Sequence, residues 1–222
     1  MSVAPAKVQM SPGPPESLVI HFLTLRRIIG ILGVALPFVV WIGARLLFNT
    51  TMLESISAYY YTPMRDVFVG ILCAIGVFLF SYRGYGRRDD VAGYVASLFG
   101  IGVALFPTAP AGKSLDVFGM IHSACAVLFF STLTYFSLFL FTKTNPDEIP
   151  SRRKRQRNII YRICGGLMAA SLLLMLIHAF LPKDLNESIK GYCVRFWLET
   201  VVIVAFGVSW LTKGQAILWD RK

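Results

Sequence analysis

Long apolar runs alternate with short polar, proline-containing or basic stretches along the chain. Six such runs stand out, at 28–48, 66–82, 91–106, 115–141, 159–181 and 194–211. Each approaches or exceeds the roughly 17–25 residues that a helix needs to cross the hydrocarbon core. The interruptions carry helix-stopping chemistry. Gly84 and Gly86 sit in the turn RGYGRRDD, Pro107 and Pro110 follow the third run, and Pro182 follows the fifth. Proline lacks the donor that would continue a helix. The pattern predicts an all-α polytopic membrane protein, a bundle of six transmembrane helices occupying residues 20–213. Residues 1–19, with Pro12, Pro14 and Pro15, read as a disordered tail, and 214–222 as a short second tail. Ser17 would cap a short interfacial helix through His21 to Arg27.

Small residues mark faces that allow helices to approach closely. Ala96, Gly100 and Ala104 recur at four-residue spacing, and Gly165-Gly166 and Ala169-Ala170 crowd the fifth run. Such faces are compatible with self-association or with a membrane-protein partner. Pro37 predicts a kink in the first helix.

Composition sharpens the class. The 222 residues are 55% hydrophobic and only 15% charged, more apolar than the roughly 45–50% of ordinary soluble domains. A formal charge of +10 would raise nucleic acid as a partner in a soluble protein. Here the basic residues lie at the ends of apolar runs, so membrane topology and lipid headgroups account for them, and no nucleic-acid role is expected. Of 22 Lys and Arg, alternate threading puts 16 on one side. That side reads as cytoplasmic, with both termini on it. The run Arg152–Arg157 is a topology determinant or a site for anionic headgroups.

Candidate chemistry gathers toward the opposite, outer side. The stretch Ser55–Asp66, SISAYYYTPMRD, lies between two apolar runs. Ionisable residues inside membrane helices are costly and usually face the bundle interior. Here His122, His178 and Glu199 are the notable ones, with Asp66 at a helix start. Arg195, four residues before Glu199, is its natural helical partner. A neutral His122 held by a neighbouring helix is the plain structural reading. The functional reading makes His122, Glu199, Ser57 and Asp66 catalytic candidates, and Tyr59, Tyr61, His122, His178, Arg195 and Glu199 the lining of an outward-facing polar pocket. Tyr59 to Tyr61 are most simply an interfacial aromatic belt. Zinc needs three or four ligands, and His122, His178, Asp66 and Glu199 would suffice if they converged. Haem needs two axial histidines, for which His122 and His178 form the one candidate pair, and is the less expected cofactor. A serine hydrolase would use Ser55 or Ser57, neither of which sits in a GxSxG elbow. The leading expectation is a non-catalytic lipid-binding, accessory or interaction role. An outer-leaflet lipid hydrolase and a small-molecule or ion transporter are the alternatives.

The stretch SISAYYYTPMRDVFVGILCAIGVFLFSYRGY, followed by GVALFPT and FGVSWLTKG, resembles uncharacterised small bacterial multi-pass membrane proteins across most of 28–213. That resemblance implies a bacterial inner membrane and no particular activity. More distantly, His122, His178, Asp66 and Ser57 are similar in kind to the His, Asp and Ser of alkaline-ceramidase-type membrane hydrolases. Those have seven helices and a zinc held by three histidines. This chain has six expected helices and lacks the family's ligand spacing.

Overall fold

A computed structural model describes residues 16–110, 116–144 and 150–218. Among them the chain is helical, with no strand. The helices are α1 (Glu16–Phe48), α2 (Arg65–Ser81), α3 (Arg87–Leu105), α4 (Val117–Tyr135), α5 (Arg152–Ala179), α6 (Lys183–Ile189) and α7 (Val194–Lys213). A wide turn, Phe136–Leu140, prolongs α4, and a tight helical turn, Ser57–Tyr61, precedes α2.

Each of the six apolar runs falls on one of the long helices. Among the described residues, four stretches are long and apolar enough to cross a membrane: Phe22–Phe48, Val117–Leu140, Arg152–Ala179 and Val194–Lys213. The shorter α2 has 17 residues, and α3 spends its first turn on Arg87, Arg88, Asp89 and Asp90. The outer surface supports a lipid environment. Ile31, Val77, Leu98, Val127, Ile163 and Leu176 are all more than half exposed, which is costly in water and neutral in hydrocarbon. The chain therefore has the build of an integral membrane protein.

Several boundaries depart from the sequence expectation: α3 and α5 start early, at Arg87 and Arg152, and the short helix α6 occupies the connection between the fifth and sixth runs. Helix α1 starts at Glu16, well before Ile28, so the expected short interfacial helix is simply its first turns. Residues 16–19, assigned to the tail, are helical; 1–15 lie outside the described residues, as do Leu115, the expected start of the fourth helix, and 219–222 of the second tail. Pro37 is accommodated within α1, which continues through it.

The core is organised around α7, which packs on both α1 and α5, while α2 packs on α3 and α3 on α4. Glycine makes the α1–α7 crossing. A Cβ at Gly207 would lie 2.7 Å from the Gly30 carbonyl oxygen, and one at Gly30 would lie 2.8 Å from that of Gly207. Only bare backbone fits there. The small face of α3 is used as expected: Gly100 meets the Phe129 ring of α4, and Ala96 and Ala104 are fully buried. On α5, Gly165 receives the Leu138 side chain. The α3 face and Gly165 thus pack inside the bundle, whereas Gly166, Ala169 and Ala170 of α5 are exposed.

Candidate functional site

The bundle has two ends. One carries the Ser57–Tyr61 turn, the α3–α4 connection and α6. The other carries the α2–α3 turn, the start of α5 and the end of α7. The residues singled out in the sequence meet at the first.

The turn at Ser57–Tyr61 begins with backbone N–H groups that have no helical acceptor, as at any helix start. Part of the demand is met locally, because Ser55 Oγ accepts from the Ala58 N–H at 3.1 Å. The rest is met by α7. Glu199 Oε2 accepts from the Ile56 N–H at 2.8 Å and from the Ser57 N–H at 3.4 Å. The other oxygen, Oε1, accepts from Arg195 Nε at 3.1 Å. The predicted pair is therefore present, yet Glu199 also ties a loop to a helix. Its side chain is 6% exposed, against 45% for Arg195.

His122 lies early in α4, whose start is capped by Asp116 Oδ1 accepting from the Gly119 N–H at 2.7 Å. The imidazole is 1% exposed. Its Nδ1 is 2.8 Å from the carbonyl oxygen of Phe106, just past the end of α3. A carbonyl can only accept, so Nδ1 carries the proton. In the neutral ring, Nε2 then presents its lone pair, and the Ser57 hydroxyl, 3.0 Å away, donates to it. The result is one chain of bonds: Phe106 carbonyl, His122, Ser57, Glu199, Arg195. It joins the loop before α2 to the end of α3, to α4 and to α7.

Such a pair can activate a serine, since a histidine of fixed tautomer is the right base for a neighbouring hydroxyl. Two features oppose turnover. The Ile56 and Ser57 N–H groups, which a developing oxyanion would need, are held by Glu199. The adjoining cavity has a volume of about 20 Å³, room for a single water.

The other candidates do not join. His178 lines a separate cleft of about 220 Å³ with Glu54, Asn186, Lys190 and Cys193, and Arg195 stands between this cleft and the closed cavity. Asp66 is exposed in the first turn of α2 and lines neither. Among the described residues no three His, Cys, Asp or Glu side chains stand together as metal ligands. The zinc set of His122, His178, Asp66 and Glu199 is thus not assembled, and no step through a metal follows from this geometry. His122 and His178 likewise face different cavities, so the haem pair is not assembled either.

The three tyrosines serve three roles. Tyr59 is fully buried against Phe196, which corrects its expected place in an interfacial belt. Burial pushes its hydroxyl above the ordinary range. Tyr60 stacks under Arg65 and accepts from it at 2.8 Å. Tyr61 donates to the Thr108 carbonyl at 2.6 Å.

Sequence reasoning missed the opposite end. There Asp89, 1% exposed, pairs with Lys143 at 2.6 Å, and Lys213 is 8% exposed. The signal for Lys213 was available: it continues the buried stripe of α7 through Phe206, Ser209 and Trp210. No family model, curated protein or solved structure matches this chain.

Proposed function

We propose that this protein is a non-catalytic lipid-binding protein of the bacterial inner membrane. In this reading all six long helices span, and both chain ends face the cytoplasm. The imbalance of basic residues supports the orientation. The observation that carries lipid binding is a groove of about 770 Å³ between α3 and α4. Val91, Ala92, Val95 and Leu128 line its length, with Arg87 and Arg88 at its mouth. Such a groove suits an acyl chain, at about 0.8 kcal/mol per buried CH₂. Two guanidinium groups in the first turn of a helix suit the headgroup phosphate. The closed Ser57–His122–Glu199 network supports a structural role for the catalytic candidates Ser57, His122 and Glu199.

The test is native mass spectrometry of protein released from nanodiscs containing phosphatidylglycerol in phosphatidylcholine. Wild-type protein retains the anionic lipid. The variant Arg87→Gln/Arg88→Gln retains it roughly thirtyfold less, since each of the two basic residues near the headgroups contributes about 1 kcal/mol. Equal retention would refute the groove.

A second reading, an outer-leaflet acyl hydrolase with Ser57 as nucleophile and His122 as base, is favoured by one observation: the 3.0 Å Ser57–His122 contact with the Phe106 carbonyl behind it. It requires Glu199 to leave the two N–H groups that it holds.

A further inference from the structure

The second end of the bundle contains a cavity of about 720 Å³, lined by Arg26, Lys143, Lys154, Arg157 and Lys213 together with polar groups such as Ser151. These five cations come from α1, the α4–α5 connection, α5 and α7. The run Arg152–Arg157 divides in two. Arg152, Arg153 and Arg155 are exposed, whereas Lys154 and Arg157, three residues apart, turn inward to the cavity. The cavity therefore takes two members of the run and leaves three at the surface.

Among the described residues, the charge of Lys213 and Lys154 is poorly compensated. The buried carboxylate of Asp89 pairs with Lys143. Lys154 Nζ donates to the Phe141 carbonyl at 2.9 Å, and Arg157 reaches the Leu218 carbonyl at 3.4 Å. For Lys154 that is an acceptor without charge. Lys213, more than nine-tenths buried, makes no direct hydrogen bond or ion pair among the described residues, and the Asp89 carboxylate, already paired with Lys143, acts on it only at longer range. Its Nζ lies over the rings of Tyr85 at 4.6 Å and Phe141 at 5.1 Å. The buried Nε of Arg26 also lacks a hydrogen-bond partner among the described residues. Burying an ammonium without an anion is expensive, and a polar cavity beside it gives room for one.

We propose that this cavity is a binding site for a phosphate-bearing anion, with Lys213 and Arg26 at its base and Lys154 and Arg157 on its wall. Several converging cations favour a ligand carrying more than one negative charge, as phosphate esters do. The volume falls within the range of about 300–1,000 Å³ typical of small-molecule sites, larger than one inorganic ion requires. The same chemistry is offered by an anionic phospholipid headgroup and by a soluble phosphate compound. The site is separate from the α3–α4 groove and does not depend on it.

Equilibrium binding to the full chain separates the sources. One arm titrates inorganic pyrophosphate onto protein in phosphatidylcholine nanodiscs. The other compares lipid retention in nanodiscs with and without phosphatidic acid. Binding in the first arm identifies a soluble ligand class, and binding only in the second identifies a headgroup. In either case Lys213→Met weakens binding roughly tenfold or more, the worth of a lost charge-assisted hydrogen bond. Lys213→Arg retains most of it, which separates loss of charge from loss of fold. Arg26→Met gives an independent second loss. Arg152→Gln/Arg153→Gln/Arg155→Gln and Arg87→Gln/Arg88→Gln leave pyrophosphate binding unchanged. Two outcomes overturn the site: no binding of either probe by wild-type protein, or binding that survives Lys213→Met and Arg26→Met but is lost with the exposed arginines.

Discussion

Glu199 and Lys213 lie on one buried stripe of α7, toward opposite ends of the bundle, and their surroundings differ in kind. Around Glu199 each oxygen meets a donor, the donors belong to a loop that would otherwise have orphan N–H groups, and the adjoining space holds about 20 Å³. Around Lys213 the neighbours are ring faces, other cations and one carboxylate, Asp89, that Lys143 already engages, and the adjoining space is about 720 Å³. Both bury an ionisable group at a cost that only partners can offset. At the first end the partners belong to the chain, and the polar groups specify a fold. At the second, among the described residues, they do not suffice, and the polar groups specify a ligand. A perturbed or titratable residue in a cleft is thus a weak functional signal until its hydrogen bonds have been counted.

The contrast predicts opposite signs for substitutions on the same helix. The largest effect belongs to Glu199→Leu. It leaves the Ile56 and Ser57 N–H groups buried without an acceptor, at about 1–3 kcal/mol each. A loss of about 3 kcal/mol is expected, read as a lowered unfolding midpoint in detergent micelles. Glu199→Gln, which keeps an acceptor oxygen, loses less than half of that. Wild-type stability in Glu199→Leu would mean that the loop is held by apolar packing alone, and the comparison between the ends would fail.

Lys213→Met should act the other way. Replacing a buried, poorly compensated cation by an apolar chain of similar length removes its desolvation cost without breaking a direct ion pair. In phosphate-free buffer and neutral lipid, an increase of about 1–2 kcal/mol is expected. Adding the anion stabilises the wild type through binding to the folded state and closes the gap, with little effect on the variant. A destabilised Lys213→Met that no anion influences would mean that the chain itself satisfies this lysine.

The helices were legible because apolar runs end at proline, glycine or charge, and these stops act locally. The Arg195–Glu199 pair was legible for the same reason, since four residues make one helical step. The meeting of Ser57 with His122 was not, although both had been singled out. It depends on where a 3-10 turn comes to rest against α4, and no spacing encodes that. Similar depth in the membrane brought the right helices into consideration and also brought in His178, which shares the depth but lines another cleft. At the basic end the reason is of another kind. The distribution of lysine and arginine between the two sides describes topology and carries no helical phase. Phase sets Lys213 on the same stripe as Phe206 and Trp210.

The smallest effect tests whether the Ser57–His122 contact is a strut or a reactive pair. Ser57→Ala removes one hydroxyl and leaves His122 Nε2 without its donor, while the Phe106 carbonyl and the Glu199 bonds to the backbone remain. A loss of about 1 kcal/mol is expected, since the net worth of one hydrogen bond is of that order. A strut and a nucleophile would lose it alike, so stability alone does not separate them. Labelling by a fluorophosphonate does, because the probe requires an activated, accessible serine. Ser57 is 7% exposed beside a cavity with room for one water, so wild-type protein should remain unlabelled. Labelling that appears in the wild type and disappears in both Ser57→Ala and His122→Ala would make the network a catalytic centre that opens, and Glu199 the group that closes it. No labelling, with the expected small loss of stability, makes Ser57 and His122 part of the fold and leaves the basic cavity as the end of the molecule where a ligand is to be sought.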